Sequence, residues 1–306
     1  MNRDSRIVLK KGTLWQDLLR TTDLALGTGA LLPMPTDYEF IEDGGIRFFV
    51  RILSSLQRKD EARQKQQESS ATGMAMNPFL PYEKALFVAD ISDTHVALLN
   101  KFNVVEHHLL IITRHFEDQE TLLTLQDFEA LWACMAEYNG LGFYNGGEAA
   151  GASQQHKHLQ MVPLPLVPEG PEVPIEPLIA RARFEDRLGI IPGVPFLHVF
   201  VQLERDIVAS PLDAARKTFE LYAAMLDRVG LEPPVAGGRK LQSVPYCFLT
   251  TRQWMLLIPR SREFFDSISI NSLGFAGALL VKNREQMDLL KKCGPMTALK
   301  SVALPV

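Results

Sequence analysis

Residues 145–160 read NGGEAAGASQQHKHLQ, a run of glycine and small residues that closes on His156, His158 and Gln160 at a spacing of two. Side chains alternate along a strand, so this spacing puts all three on one face of a sheet. Gly146, Gly147, Gly151, Ala152 and Ser153 ahead of them allow a tight turn whose N–H groups converge on an anion. A neutral imidazole beside such a turn can attack phosphorus or carry a proton. Taken alone, the histidine pair reads more readily as metal ligands or a buried polar pair, and the glycine run equally well as a hairpin turn.

The surrounding segments supply the sheet. Short runs rich in apolar and β-branched residues predict strands at Ala85–Ala89, His95–Leu99, His108–Thr113, Leu141–Tyr144 and Lys157–Val162. One strong helix interrupts them. Thr124 followed by Asp127 forms an N-terminal capping pattern, and Leu125, Phe128, Leu131, Trp132 and Met135 then repeat at helical spacing. Residues 58–78, RKDEARQKQQESSATGMAMNP, lack apolar periodicity and predict a mobile surface loop. Six prolines between Pro163 and Pro177 predict a stiff connector.

Past that connector the mixture repeats. Leu197, Val199, Val201 and Leu203 alternate as a strand. Ser210, Pro211 and Asp213 then open a helix that ends near Gly230. Tyr246–Thr250 and Trp254–Ile258 predict a hairpin, and Asn283 with Gln286 caps a last helix that stops at Gly294 and Pro295. The similar order of elements hints at an internal duplication, without a clear sequence repeat.

The chain has 306 residues, 46% hydrophobic, enough for one large or two ordinary domains. Its formal charge of −4 argues against a sequence-wide basic field for nucleic acid. No apolar run approaches the roughly 20 residues of a bilayer span, and MNRDSRIVLKKG lacks a signal-peptide core, so a cytoplasmic protein without membrane partners is expected. Cys134, Cys247 and Cys293 are too far apart for a zinc site or disulfide framework and read as plain thiols. His95, His107, His115 and His198 read as structural, and His108 leans the same way.

Several ordered blocks carry a resemblance: SSLQRK (54–59), NPFLPYEKALFV (77–88), LLNKFNVVEHHLLIIT (98–113), FYNGG (143–147) and the H-x-H-x-Q signature, with weaker agreement at MLLIPR (255–260) and SINSLGFAGALLVK (269–282). Together they resemble the nucleotidyltransferase branch of the histidine triad superfamily, and within it the diadenosine tetraphosphate phosphorylases, also called ATP adenylyltransferases. The resemblance implies an α+β fold. Residues 1–168 would form a histidine-triad-like catalytic domain, an antiparallel sheet with flanking helices; 169–192 a proline-rich connector; and 193–306 a C-terminal ATP adenylyltransferase domain of α+β type packing back on it.

It also implies roles. His158 would be the nucleophile, His156 would orient that ring or the nearby backbone, and Gln160 would donate to phosphate, where the hydrolase branch resembles H-x-H-x-H. Gly151, Ala152, Ser153 and Gln154 would contact the phosphate chain and Asn145 the nucleotide. Asn100, Lys101 and Lys59 would bind substrate, the lysines as counter-charges. Asn271, Ser272, Leu273 and Lys282 match positions that close over the second nucleotide, although Leu273 and Ala278 replace the threonine and methionine of fungal relatives. His108 matches a family histidine.

The activity implied is phosphorolysis of diadenosine tetraphosphate by inorganic phosphate to ATP and ADP, through an adenylyl-histidine intermediate. A divalent cation, magnesium or manganese, is expected with the phosphates, its protein ligands unknown. The expected partners are these nucleotides and phosphate, with the chain a monomer or small homo-oligomer. Rival readings are another nucleotidyltransferase, such as a hexose-1-phosphate uridylyltransferase, and a catalytically weak nucleotide sensor.

Overall fold

The strands the sequence marks assemble into one ten-stranded antiparallel sheet in a computed structural model that describes residues 6–53, 77–231, 235–236 and 239–306. Of the loop expected at 58–78, residues 58–76 lie outside the described residues. A short hairpin comes first, β1 (Thr36–Asp43) and β2 (Ile46–Leu53). The N-terminal half of the large sheet follows with β3 (Phe87–Asp90), β4 (His95–Leu99), β5 (Leu109–Thr113), β6 (Gly140–Gly146) and β7 (His158–Pro163). The C-terminal half contributes β8 (Arg183–Glu185), β9 (Leu188–Ile190), β10 (Val199–Gln202), β13 (Tyr246–Thr250) and β14 (Trp254–Pro259). Between and after them lie the short pairs β11 (Val235–Ala236) with β12 (Arg239–Lys240) and β15 (Phe264–Phe265) with β16 (Ile268–Ser269), then β17 (Ala278–Val281).

The strand order, β3-β4-β5-β7-β6-β13-β14-β10-β9-β8, makes the hinted duplication visible. From edge to centre each half runs through three consecutive strands, then its last strand, then its fourth. Each inserts one long helix between the third and fourth: α2 (Leu125–Glu137; α1 is Leu14–Thr28) in the first and α4 (Pro211–Arg228; α3 is the short Glu176–Ile179) in the second. β6 and β13 pair at the centre, with Tyr144 opposite Phe248 and Asn145 opposite Cys247. Sequence has diverged where topology has not. β7 shows His158 and Gln160 on one face, while β14 shows Trp254, Leu256 and Ile258 there, all buried in an apolar cluster.

α2 begins as expected: Thr124 accepts from the Asp127 N–H, and the Asp127 carboxylate accepts from the Thr124 N–H. Its apolar face packs with α4 on the back of the sheet, Phe128 meeting Phe219 and Tyr222 and the Trp132 indole N–H donating to Thr218 at 2.7 Å. Gly142 lets α2 approach, since a Cβ there would stand 2.8 Å from Leu131 Cδ1. A helix that the sequence reading does not mark, α1 (Leu14–Thr28), joins this layer through Leu14, Leu18 and Ala25.

The opposite face carries the site in the first half and a lid of structure in the second. That lid is a three-stranded sheet, β1-β2-β17, with β17 parallel to β2, plus α5 (Ser272–Phe275), α6 (Arg284–Cys293) and α7 (Pro295–Val302). Gly294, at φ +84°, ends α6 as expected, but Pro295 opens a further helix instead of closing the last one. Proline suits a first helical turn because that N–H has no intrahelical partner. Both large apolar clusters contain residues from before and after the proline-rich stretch, which itself buries Leu166, Val167, Val173 and Ile175.

Candidate active site

His158 opens β7 beside β5 and is 4% exposed, with Phe79 set edge-on to its ring at 5.4 Å between centroids. Its Nδ1 lies 2.8 Å from the His156 carbonyl, which can only accept, so Nδ1 carries the proton and donates it there. Nε2 is left with its lone pair and has no partner among the described residues. Burial lowers the pKa of His158 to about 4, against the smaller opposing effect of the His156 carbonyl, so the ring is neutral at pH 7. The Gln119 side chain clamps the backbone here, accepting from the His158 N–H at 2.8 Å and donating to the Asn145 carbonyl at 2.9 Å.

His156 is fully committed. Its Nε2–H donates to the Thr113 carbonyl at 2.8 Å, with Thr113 Oγ1 at 2.9 Å, and its Nδ1 accepts from Asn77 Nδ2 at 2.9 Å. Burial is also the first cause that lowers its pKa. With both nitrogens engaged, the ring fixes the strand whose carbonyl aims His158. That is the orienting role expected of it, exercised through the backbone.

Gln160 is aimed by a chain of hydrogen bonds. The Phe102 N–H donates to Asn100 Oδ1 at 3.3 Å, so Asn100 Nδ2 faces His108 Nδ1 at 3.2 Å and donates to it. His108 then has its proton on Nε2 and donates to Gln160 Oε1 at 3.0 Å. Gln160 is 8% exposed, and its oxygen is used, so its NH2 is the end left for a ligand. Burial lowers the His108 pKa to about 4, which keeps this direction of donation at neutral pH. The sequence reading leaned to a structural His108 and a substrate-binding Asn100. The structure places His108 against Gln160 and Asn100 behind His108.

The glycine loop folds tightly. The N–H groups of Ala150 and Ala152 both bond the Gly147 carbonyl and that of Gly151 bonds Glu148, while those of Ser153 and Gln154 have no partner among the described residues. Gly151 sits at φ +91°, and a Cβ there would stand 2.8 Å from Asn271 Cβ, so only glycine lets the loop close on the turn before α5. Asn145 and Ser272 meet each other across this seam: Asn145 Oδ1 accepts from the Ser272 N–H at 2.9 Å and hydroxyl at 2.7 Å. Asn271 Oδ1 caps α5 by accepting from the Leu273 N–H, and Leu273 packs against the apolar cluster beneath. Lys101 is paired with Glu83 at 2.6 Å on the surface. Lys282 is half-buried just after β17, and Lys59 lies outside the described residues.

Lys157, between the two histidines, points through the sheet to its other face, where it is wholly buried. Its ammonium bonds Asp127 Oδ2 at 2.6 Å and the Leu122 carbonyl at 3.0 Å, and His95 Nε2 lies 3.0 Å from the other carboxylate oxygen. Desolvation pushes the Asp127 pKa up, but the Lys157 ammonium and the His95 hydrogen bond together outweigh it and hold the carboxyl well below the carboxylate range. This anchor pins the strand from behind.

Among the described residues no three His, Cys, Asp or Glu converge to cage a metal, and of the three site imidazoles only His158 keeps a nitrogen without a partner there. Among the described residues the donor set does not fit a resident cation. Asn77, Phe79, His108 and Gln119 are the site residues that the sequence reading did not place. The first three lie inside the quoted blocks NPFLPYEKALFV and LLNKFNVVEHHLLIIT, but Gln119 gave no signal.

Known proteins match the chain in sequence and in fold. Residues 4–181 match the family model described as the Ap4A phosphorylase N-terminal domain, and 192–305 that of the ATP adenylyltransferase C-terminal domain. Diadenosine 5',5'''-P1,P4-tetraphosphate phosphorylase 2 of Saccharomyces cerevisiae is 28% identical over 274 residues, covering 80% of this chain and 79% of the relative. Protein APA1 of the same yeast is 26% identical over 64% of this chain and 68% of its own length. The crystal structure of yeast Ap4A phosphorylase Apa2 in complex with Ap4A superposes with a TM-score of 0.77 at 22% identity, over 97% of this chain and 99% of that one.

Proposed function

Because this chain belongs to the family of Ap4A phosphorylases and ATP adenylyltransferases, and so is a nucleotidyltransferase, we propose that it phosphorolyses diadenosine tetraphosphate (Ap4A) to ATP and ADP. The observation that carries this reading is His158 itself: neutral, proton held on Nδ1 by the His156 carbonyl, and Nε2 without a partner among the described residues.

In the first step the Nε2 electron pair forms a bond to one α-phosphorus. The bond from that phosphorus to the oxygen bridging to the β-phosphate breaks, and ATP leaves with the electron pair. The Nδ1 proton stays in place, so the His156 carbonyl supports the positive ring that carries the adenylyl group. In the second step an oxygen of inorganic phosphate attacks the same phosphorus, the N–P bond breaks, its electrons return to Nε2, and ADP forms. Two inversions give net retention at phosphorus.

Gln160 presents NH2 hydrogens to the non-bridging oxygens, stabilising the charge that grows in each transition state. It cannot protonate the leaving group, and ATP, a stable anion, does not require it. The N–H groups of Ser153 and Gln154, without partners among the described residues, and the seam between the loop and α5 supply the bed for the phosphate chain. A divalent cation belongs to this proposal only as a companion of the polyphosphate. We place the activity in the cytoplasm, where the free thiols Cys134, Cys247 and Cys293 would stay reduced.

The test is chromatography of nucleotides after incubation with Ap4A, with and without phosphate, alongside a nucleotide-sugar panel. Stoichiometric ATP and ADP, formed only with phosphate and lost in His158→Ala, is the expected result. ATP and AMP released at one rate whether or not phosphate is added would make the protein a hydrolase and overturn the reading.

A further inference from the structure

Arg260 follows β14 and is 1% exposed, yet among the described residues no carboxylate lies within ion-pair distance of it. Neutral acceptors surround its guanidinium. Nε donates to the Val302 carbonyl at 3.1 Å, Nη1 to the Ala150 carbonyl at 3.3 Å with Cys247 Sγ at 3.1 Å, and Nη2 to the carbonyls of Arg262 at 2.8 Å and Ile270 at 2.9 Å. The Phe275 ring lies beneath, its centroid 5.0 Å from Cζ. The hydrogen bonds offset the loss of water, but nothing in this shell cancels the charge.

Two of these acceptors decide what that charge can do. Ala150 immediately precedes Gly151 in the glycine loop, and Ile270 immediately precedes Asn271 and Ser272. These are the two lips of the seam described above, where Gly151 packs on Asn271. One planar fork thus ties both lips together from behind. A lysine has fewer donors in a less rigid arrangement, and a neutral side chain would hold the carbonyls without adding a field.

We propose that Arg260 is a positioning residue for polyphosphate, fixing the glycine loop against the 270–272 turn while its uncompensated buried charge draws the phosphate chain onto that seam. This rests on the loop being the phosphate bed of the proposed function. Buried, the charge is screened by salt far less than a surface lysine would be. Its pull also grows with the number of negative charges on the ligand, which a purely structural clamp would not produce.

The experiment is calorimetric titration of folded wild type, Arg260→Met and Arg260→Lys with adenosine, AMP, ADP and ATP. In Arg260→Met, ATP is expected to bind about tenfold more weakly, with adenosine within about twofold and AMP and ADP between. Arg260→Lys is expected to keep the wild-type ratio of ATP to adenosine affinity while kcat falls as the lips loosen. Equal losses for adenosine and ATP in Arg260→Met, or a preference lost in Arg260→Lys, would overturn the inference. If Arg260→Met does not fold, the ratio in Arg260→Lys decides by itself. A wild type that binds none of the four would overturn the functional reading and this inference together, whereas a binding wild type with an unchanged variant overturns the inference alone.

Discussion

Replacing His108 by Phe tests the hydrogen-bond chain that aims Gln160. Phenylalanine keeps the volume and the contact with Phe143, whose ring centroid lies 5.8 Å away, and removes both nitrogens. Asn100 Nδ2 loses its acceptor at 3.2 Å, and Gln160 Oε1 loses its donor at 3.0 Å in a site where the residue is 8% exposed. Leaving that oxygen unmet costs about 1–3 kcal/mol of stability. The amide then has no reason to hold its NH2 toward the ligand. One hydrogen bond to a charged phosphate is worth about 1.5–3 kcal/mol, so kcat/KM should fall roughly 10- to 150-fold. Luciferase-coupled ATP release from Ap4A measures this. Gln160→Ala lacks the amide already, so adding His108→Phe to it should cost little more. A folded His108→Phe enzyme within about twofold of wild type, or losses that simply add, would refute the chain's role.

Other consequences follow from the same geometry. Because neutral His158 attacks, kcat/KM should rise with pH through about 4 and then level, the value to which burial lowers this ring; an acid limb near the ordinary imidazole value of about 6.5 would contradict it. The folded rings of His108 and His158 resist protons that the unfolded chain accepts, so stability should fall as pH drops from about 6.5 toward about 4, as acid titration of melting would show. Lys157→Met strands the buried Asp127 carboxylate and should remove about 3–5 kcal/mol in urea unfolding. Gly151→Ala, forced to hold φ +91° with its Cβ against Asn271, should weaken nucleotide binding and lose more than about 1 kcal/mol by the same measurement.

The H-x-H-x-Q spacing was legible because strand alternation is a property of a few consecutive residues, and it sorted His156, His158 and Gln160 onto one face. The caps of α2 and α6 were legible for the same local reason. Distant pairings were not. Nothing near residue 50 announces that β2 will run parallel to β17, more than 200 residues later, and nothing near Lys101 announces Glu83. α1 went unmarked because its buried stripe of Leu14, Leu18, Thr21, Thr22 and Ala25 includes two β-branched polar residues that blur the helical pattern. His108 leans structural in the sequence, apart from its match to a family histidine, because its value lies in what it touches: Asn100, eight residues back, and Gln160, fifty-two residues on. The expected phosphate contacts at Gly151 and Ala152 depend on which N–H groups the loop consumes internally, a matter of folded geometry.

The central claim is that Nε2 of His158 takes the adenylyl group. Mass analysis of the protein quenched after incubation with Ap4A, phosphate withheld, measures this directly. An acid-labile adenylyl group is expected on His158 in the peptide spanning His156–Gln160, discharging as ADP when phosphate is added. ATP release that continues without any bound adenylyl group, or a label on another residue, would contradict the account.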